Sequence, residues 1–139
     1  MTANTAPHRP VENWQQERDA WVGEVERLAS DVQRWSEARG WAVRRDAKPV
    51  TEDGIGSYQV PVLTILTFIG RVVFDPVARF IVGASGRIEL YAFPSFAQVV
   101  LVRRNGEWRF LSDADMSDLN RAWNEADFVR TVEELQASQ

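Results

Sequence analysis

Residues 21–35 read WVGEVERLASDVQRW, and their spacing decides the fold. Large apolar side chains fall at Trp21, Val25, Leu28, Val32 and Trp35, with gaps of four, three, four and three residues. In an α-helix, positions three and four apart lie on one face, so these five form a single stripe. Trp14 extends the stripe upstream. Three of the six tryptophans sit on it, so this face must bury itself against a large apolar partner. The helix should begin between Pro10 and Asn13, where Asn13 and Gln16 resemble a capping box, and end at Arg39. Gly40 then takes the left-handed position and Trp41 folds back onto the last turn.

After Gly40 the apolar period changes from the helical spacing to two, the period of a strand. Trp41–Lys48 reads as a strand closed by Pro49, and residues 51–57 as a flexible loop. Tyr58–Phe68 is the longest strand candidate and is apolar on both alternations, which predicts cover on both sides. Pro61 should mark an edge position or a bulge within it. Ile69-Gly70-Arg71 turns the chain back, and Arg71–Gly83 is extended but broken at Pro76. Ala84-Ser85-Gly86 fits a three-residue hairpin loop, and Pro94-Ser95 separates Arg87–Phe93 from the next strand. Asn105-Gly106 fits a two-residue type I′ turn, pairing Arg104 with Glu107, Arg103 with Trp108, Val102 with Arg109 and Leu101 with Phe110. A last helix starts at Asn124, capped with Asp127, with Trp123 and Phe128 as a hydrophobic staple. Phe128, Val132 and Leu135 form its apolar stripe.

The expected fold is therefore α+β: a long N-terminal helix packed on a five- to six-stranded antiparallel meander, with a short C-terminal helix. This element order resembles that of cystatin-type rolls and of cones of the nuclear-transport-factor type. The likeness is one of element order alone and implies a roll, not an activity.

At 139 residues the chain fits one domain, with residues 1–10 as a disordered tail and 11–139 as the folded unit. There is no cysteine, which excludes disulfides, thiolate chemistry and Cys-based zinc sites. The N-terminus lacks the apolar stretch of a signal peptide and no run is long enough to cross a bilayer, so the expectation is a cytoplasmic protein without membrane contact. Residues 41–111 carry nine basic and six acidic side chains, net +3, and residues 112–139 carry two and seven, net −5. Fifteen of the 16 basic residues are arginine, a bias that a GC-rich bacterial genome explains without nucleic-acid binding. The arginine pairs Arg44-Arg45 and Arg103-Arg104 are the only basic clusters.

Catalytic constellations are absent. The sole histidine, His8, lies in the tail, where a general base has no fixed position. Asp113, Asp115 and Ser117 open like a calcium loop, but Asp118 stands where glycine is required and Asn124 where the bidentate glutamate belongs. Gly54-Ile55-Gly56 lacks the third glycine and the following helix of a phosphate fingerprint. No catalytic, cofactor-binding or metal-ligating set is therefore assigned, and no cofactor is expected.

Strand alternation singles out one surface. With Val99, Leu101, Trp108 and Phe110 facing the helix, Val100, Val102 and Arg109 point outward, joined by Glu89, Tyr91 and Arg79. A face of arginine, glutamate, tyrosine and aliphatic groups suits a protein interface, unless the C-terminal helix covers its aliphatic part. The leading expectation is a non-catalytic interaction module, a subunit or accessory protein of a bacterial assembly, with a protein partner or a second copy of itself. The alternative is a small-ligand binder or enzyme using a pocket inside the roll, with Asp75, Glu89, Tyr91 and arginines as its polar groups. A closed core favours the first and a polar pocket of about 300 Å³ the second.

Overall fold

The structure is a computed structural model, and it describes residues 11–54, 56–78, 86–104, 107–111 and 123–137. Helix α1 spans Val11–Ala38. Strands β1 (Ala42–Glu52), β2 (Gly56–Leu66), β3 (Arg71–Ala78), β4 (Arg87–Phe93), β5 (Gln98–Arg104) and β6 (Glu107–Leu111) follow, and helix α2 spans Glu125–Ala137. The six strands form one antiparallel sheet in sequence order, so β1 and β6 are its edges.

The stripe of α1 does what its spacing requires. Trp21, Val25, Leu28 and Val32 are buried, while Trp35 at the end of the stripe is half-buried against the core. The Trp21 indole N–H donates to the Tyr58 hydroxyl over 3.2 Å, and the Tyr58 hydroxyl donates to Glu52. Gly40 adopts φ 82°, and the Trp41 N–H reaches the Ser36 carbonyl at 3.0 Å, so the helix stops on a Schellman turn. Gly86 has a packing reason to be glycine: a Cβ there would lie 2.3 Å from the Trp21 ring.

Most registers follow the sequence reading. Arg104 pairs with Glu107, Arg103 with Trp108, Val102 with Arg109 and Leu101 with Phe110. The turn residues 105 and 106 themselves lie outside the described residues, as do His8, Arg79, the 81–85 loop and the acidic 112–122 segment. The register of β3 against β4 shifts between Pro76 and Ala78, the irregularity expected at Pro76.

Three expectations need correction. Strand β1 does not close at Pro49 but continues to Glu52. As an edge strand it pairs only with β2, so a missing proline N–H is tolerated. The loop expected at 51–57 contracts to a tight turn, because Thr51 and Glu52 pair with Ser57 and Gly56. Strand β2 ends at Leu66 rather than Phe68, and it is covered on both sides only in part: Leu63, Ile65 and Val60 are buried and Val62 is half-buried, but Leu66 is exposed, as are Phe68 and Ile69 in the turn beyond it. Pro61 sits in β2 without disturbing its register with β1, since β3 pairs only with Leu63–Leu66 and leaves Pro61 with one neighbouring strand.

The C-terminal helix begins as expected. The Asn124 side-chain oxygen accepts from the Asp127 N–H at 2.9 Å, and the Trp123 and Phe128 rings meet at 5.7 Å. Phe128, Val132 and Leu135 join the same core as the α1 stripe, with Phe128 5.8 Å from Trp35 and 6.3 Å from Trp41. Both helices therefore pack on one face of the sheet.

Candidate interaction surface

The outward face assembles as alternation requires. Asp75, Glu89 and Val100 lie abreast on β3, β4 and β5, and Arg87, Val102 and Arg109 form the next row. Tyr91 continues the face beside Val73. Glu89, Tyr91, Val100, Val102 and Arg109 are thus brought together, while Arg79 lies outside the described residues. Asp75, Glu89 and Tyr91 stand on the side opposite the core, so they do not line the interior of the roll.

This face is already closed over itself. Asp75 holds Lys48 in an ion pair and accepts from the Tyr91 hydroxyl at 3.2 Å. Arg87 pairs with Glu89 at 3.0 Å and Arg109 with Glu107 at 3.1 Å. Burial, then the charge of Asp75, the hydrogen bond to it and the charge of Glu89, raise the Tyr91 phenol above its ordinary 10.0. The valines between these pairs are hidden: Val73 is 8% exposed and Val102 only 1%, although neither belongs to the central core cluster. Long charged side chains lay their aliphatic stems along such a surface. The outward face thus sets ion pairs around buried Val73 and Val102, with Tyr91 and Val100 half-buried beside them.

The exposed apolar area lies elsewhere, at the end of the sheet where β2 turns into β3 and β4 into β5. Phe68 is 94% exposed, Ile69 63%, Phe96 74% and Leu66 49%. Two turns lie side by side there. Gly70 approaches the β4–β5 turn so closely that a Cβ would lie 2.3 Å from the Phe93 carbonyl oxygen. The Phe93 and Phe96 rings meet edge-on at 5.2 Å, and the Arg71 guanidinium stacks 4.5 Å above Phe93.

Both turns are held firmly. The Thr67 hydroxyl accepts from the Ile69 and Gly70 N–H groups at 3.2 Å and from Gln136 of α2 at 2.5 Å. It donates to the Gly70 carbonyl at 3.2 Å. In the other turn the Phe96 N–H donates to the Ala92 carbonyl at 2.8 Å, and the Ser95 hydroxyl donates to the Leu135 carbonyl at 3.2 Å. Phe96 itself adopts φ 63°, a left-handed conformation that costs a bulky residue on the order of 1–3 kcal/mol. The fold thus holds an aromatic ring in water through a strained backbone and anchors its turn to α2.

Phe68 and Ile69 themselves line an open hollow of 440 Å³, together with Ala38, Arg39, Trp41, Thr67, Glu133 and Gln136. Larger and smaller hollows occur along α2 and near β1, at 680 and 310 Å³, and these too open to solvent. The inward residues of sheet and helices form one continuous packed cluster. No group of three or more potential metal ligands occurs among the described residues, and no described helix is long and apolar enough to cross a membrane. Arg44 and Arg45 do not make a basic surface: they point to opposite faces of β1 and pair with Asp46 and Glu26, while Arg103 pairs with Glu24.

Sequence reasoning passed over the tip because it read Phe68 as the end of a doubly covered strand and gave Phe96 no role. The available signal was the placement of Phe68, Ile69 and Phe96 within turns, where polar residues usually stand. No family model matches the chain, and no curated protein and no solved structure matches it either.

Proposed function

We propose that the chain is a non-catalytic protein-interaction module of the cytoplasm, serving as a subunit or accessory of a larger assembly and docking through the tip of its sheet. The carrying observation is that Phe68, Ile69 and Phe96, three large apolar side chains, are left in water on two firmly hydrogen-bonded turns. The largest exposed apolar patch of a monomer is often functional, which supports the reading of the tip as an interaction site. Its composition fits: phenylalanine and isoleucine at the centre, with Arg39, Arg71, Glu133 and Gln136 at the rim.

Photo-crosslinking in the native host tests this reading. Benzoylphenylalanine in place of Phe68 or Phe96 should give a discrete protein adduct, whereas the same group at exposed Gln59 should not. Equal adduct patterns from all three positions, or none from the tip, would defeat the assignment.

A further inference from the structure

We infer that the hollow framed by Trp35, Trp108 and Trp123 binds a quaternary ammonium group. It shares no lining residue with the tip and does not rest on the reading of the tip. The hollow measures 350 Å³ and opens to solvent. Its three indoles come from α1, from β6 and from the residue two before α2, and each is fixed in place. The Trp123 backbone N–H donates to the Trp108 carbonyl over 3.2 Å. The Trp35 and Trp123 rings lie 6.1 Å apart, inclined at 53°. Trp108 rests on Trp21 at 5.9 Å and Trp123 on Phe110 at 5.3 Å. All three pack against the core yet are only half-buried, so part of each ring is left to the hollow.

Aromatic walls and charge together choose the occupant. The quadrupole of an aromatic ring attracts a cation placed over its face, most strongly for tryptophan. Among the described residues, the charged side chains lining the hollow are Asp31 and Glu107, both acidic, and the remaining liners, Leu28 and Asn124, are neutral. The hollows along α2, near β1 and at the tip each have an arginine in the wall instead. Arg34 pairs with Asp31 at 2.8 Å and Arg109 with Glu107 at 3.1 Å, but neither arginine lines the hollow. Both carboxylates stay largely in water, where such pairs are weak and exchange readily. A primary ammonium is compact and strongly hydrated, and it loses more on leaving water than these walls return. A quaternary ammonium spreads its charge over methyl groups that pack on indole while the charge still meets the rings and the two carboxylates. An anion would face those carboxylates, and a neutral group of the same shape would gain the apolar contact alone.

Choline chloride is the probe, titrated into the full chain at constant ionic strength and followed through the ¹H–¹⁵N signals of the six indole N–H groups. The signals of Trp35, Trp108 and Trp123 should move together and saturate with a dissociation constant of about 1–10 mM, while that of Trp41, outside the hollow, stays in place. Dimethylbutanol, the uncharged carbon isostere of choline, should bind at least about 10-fold more weakly. Asp31→Asn with Glu107→Gln should weaken choline at least about 5-fold and leave the isostere unchanged, because it removes two negative charges and leaves Arg34 and Arg109 uncompensated. Both side chains are at the surface, so circular dichroism should show this variant as folded as the parent. Trp123→Leu keeps an apolar side chain and should remove saturable binding; if it does not fold, the isostere and the carboxylate variant still decide the matter. Choline that fails to saturate by about 100 mM, an isostere that binds equally well, or an affinity indifferent to the two carboxylates overturns the inference. A saturable shift of Trp41 without the other three also overturns it. Where choline binds as expected, a trimethyl-lysine peptide set against phosphocholine separates a protein side chain from a lipid headgroup as the source. The peptide should bind more tightly, because the phosphate would face Asp31 and Glu107, and either order upholds the ammonium site.

Discussion

Replacing Trp21 with alanine should be the most damaging single change on α1. Its ring is buried 5.9 Å from Trp108, against Gly86, with its N–H on the Tyr58 hydroxyl. Burying an indole removes about 200 Å² from water, which at roughly 25 cal/mol per Å² corresponds to about 5 kcal/mol. Residual compactness of the unfolded chain lowers that figure, and the cavity left behind raises it. The expected loss is about 3–5 kcal/mol, or a fall in Tm of about 10–20 °C for a domain of this size. Urea unfolding followed at 222 nm reads it as a shift in midpoint with an unchanged slope. Trp35→Ala is the internal comparison: its ring is half-buried and rests on Trp123 and Phe128 at one end of the core, so it should cost about half as much. Equal losses for the two tryptophans, or less than about 1.5 kcal/mol for Trp21, would refute the packing of α1 against the sheet.

Two further outcomes follow from particular contacts. Gly86→Ala should destabilise by about 1–3 kcal/mol, because the new methyl overlaps the Trp21 ring. In a Trp21→Phe background the penalty should shrink, and strict additivity in the double-mutant cycle would show that the two sites do not touch. Tyr91 should ionise above 10.0, and Asp75→Asn should bring it part of the way back. Ultraviolet titration in a Tyr58→Phe background, which leaves one tyrosine, measures both. A raised acid pKa favours the protonated folded form, so this contribution to stability is complete below the unfolded phenol value near 10 and disappears as pH rises through the folded one. Identical midpoints with and without the Asp75 charge would remove the aspartate from the explanation.

Much of the fold is legible in the chain because local rules and global packing agree. The α1 stripe names the buried face, Gly40 names the helix stop, and Asn105-Gly106 fixes the β5–β6 register to the residue. The same alternation that grouped Glu89, Tyr91, Val100, Val102 and Arg109 could not tell how exposed they are. That depends on Lys48 and Asp75, which reach this face from other strands, and on the Arg87 side chain, which turns onto Glu89 two residues away. The tip was illegible for a related reason. Periodicity shows which residues share a side, but not that β2 runs past its last covered position, nor that Gly70 draws the β2–β3 turn onto Phe93. Cover by neighbours is a property of the assembled sheet, and Leu66, Phe68 and Ile69 have apolar character without it.

The most direct test of the account is the environment of the Phe68 side chain itself. A trifluoromethyl-phenylalanine at position 68, with another at buried Phe74 as reference, reports solvent contact through the ¹⁹F shift difference between light and heavy water. The account predicts a fully solvated probe at position 68 in the purified protein, with position 74 shielded. A probe at position 68 that is shielded from solvent in the purified protein would contradict it.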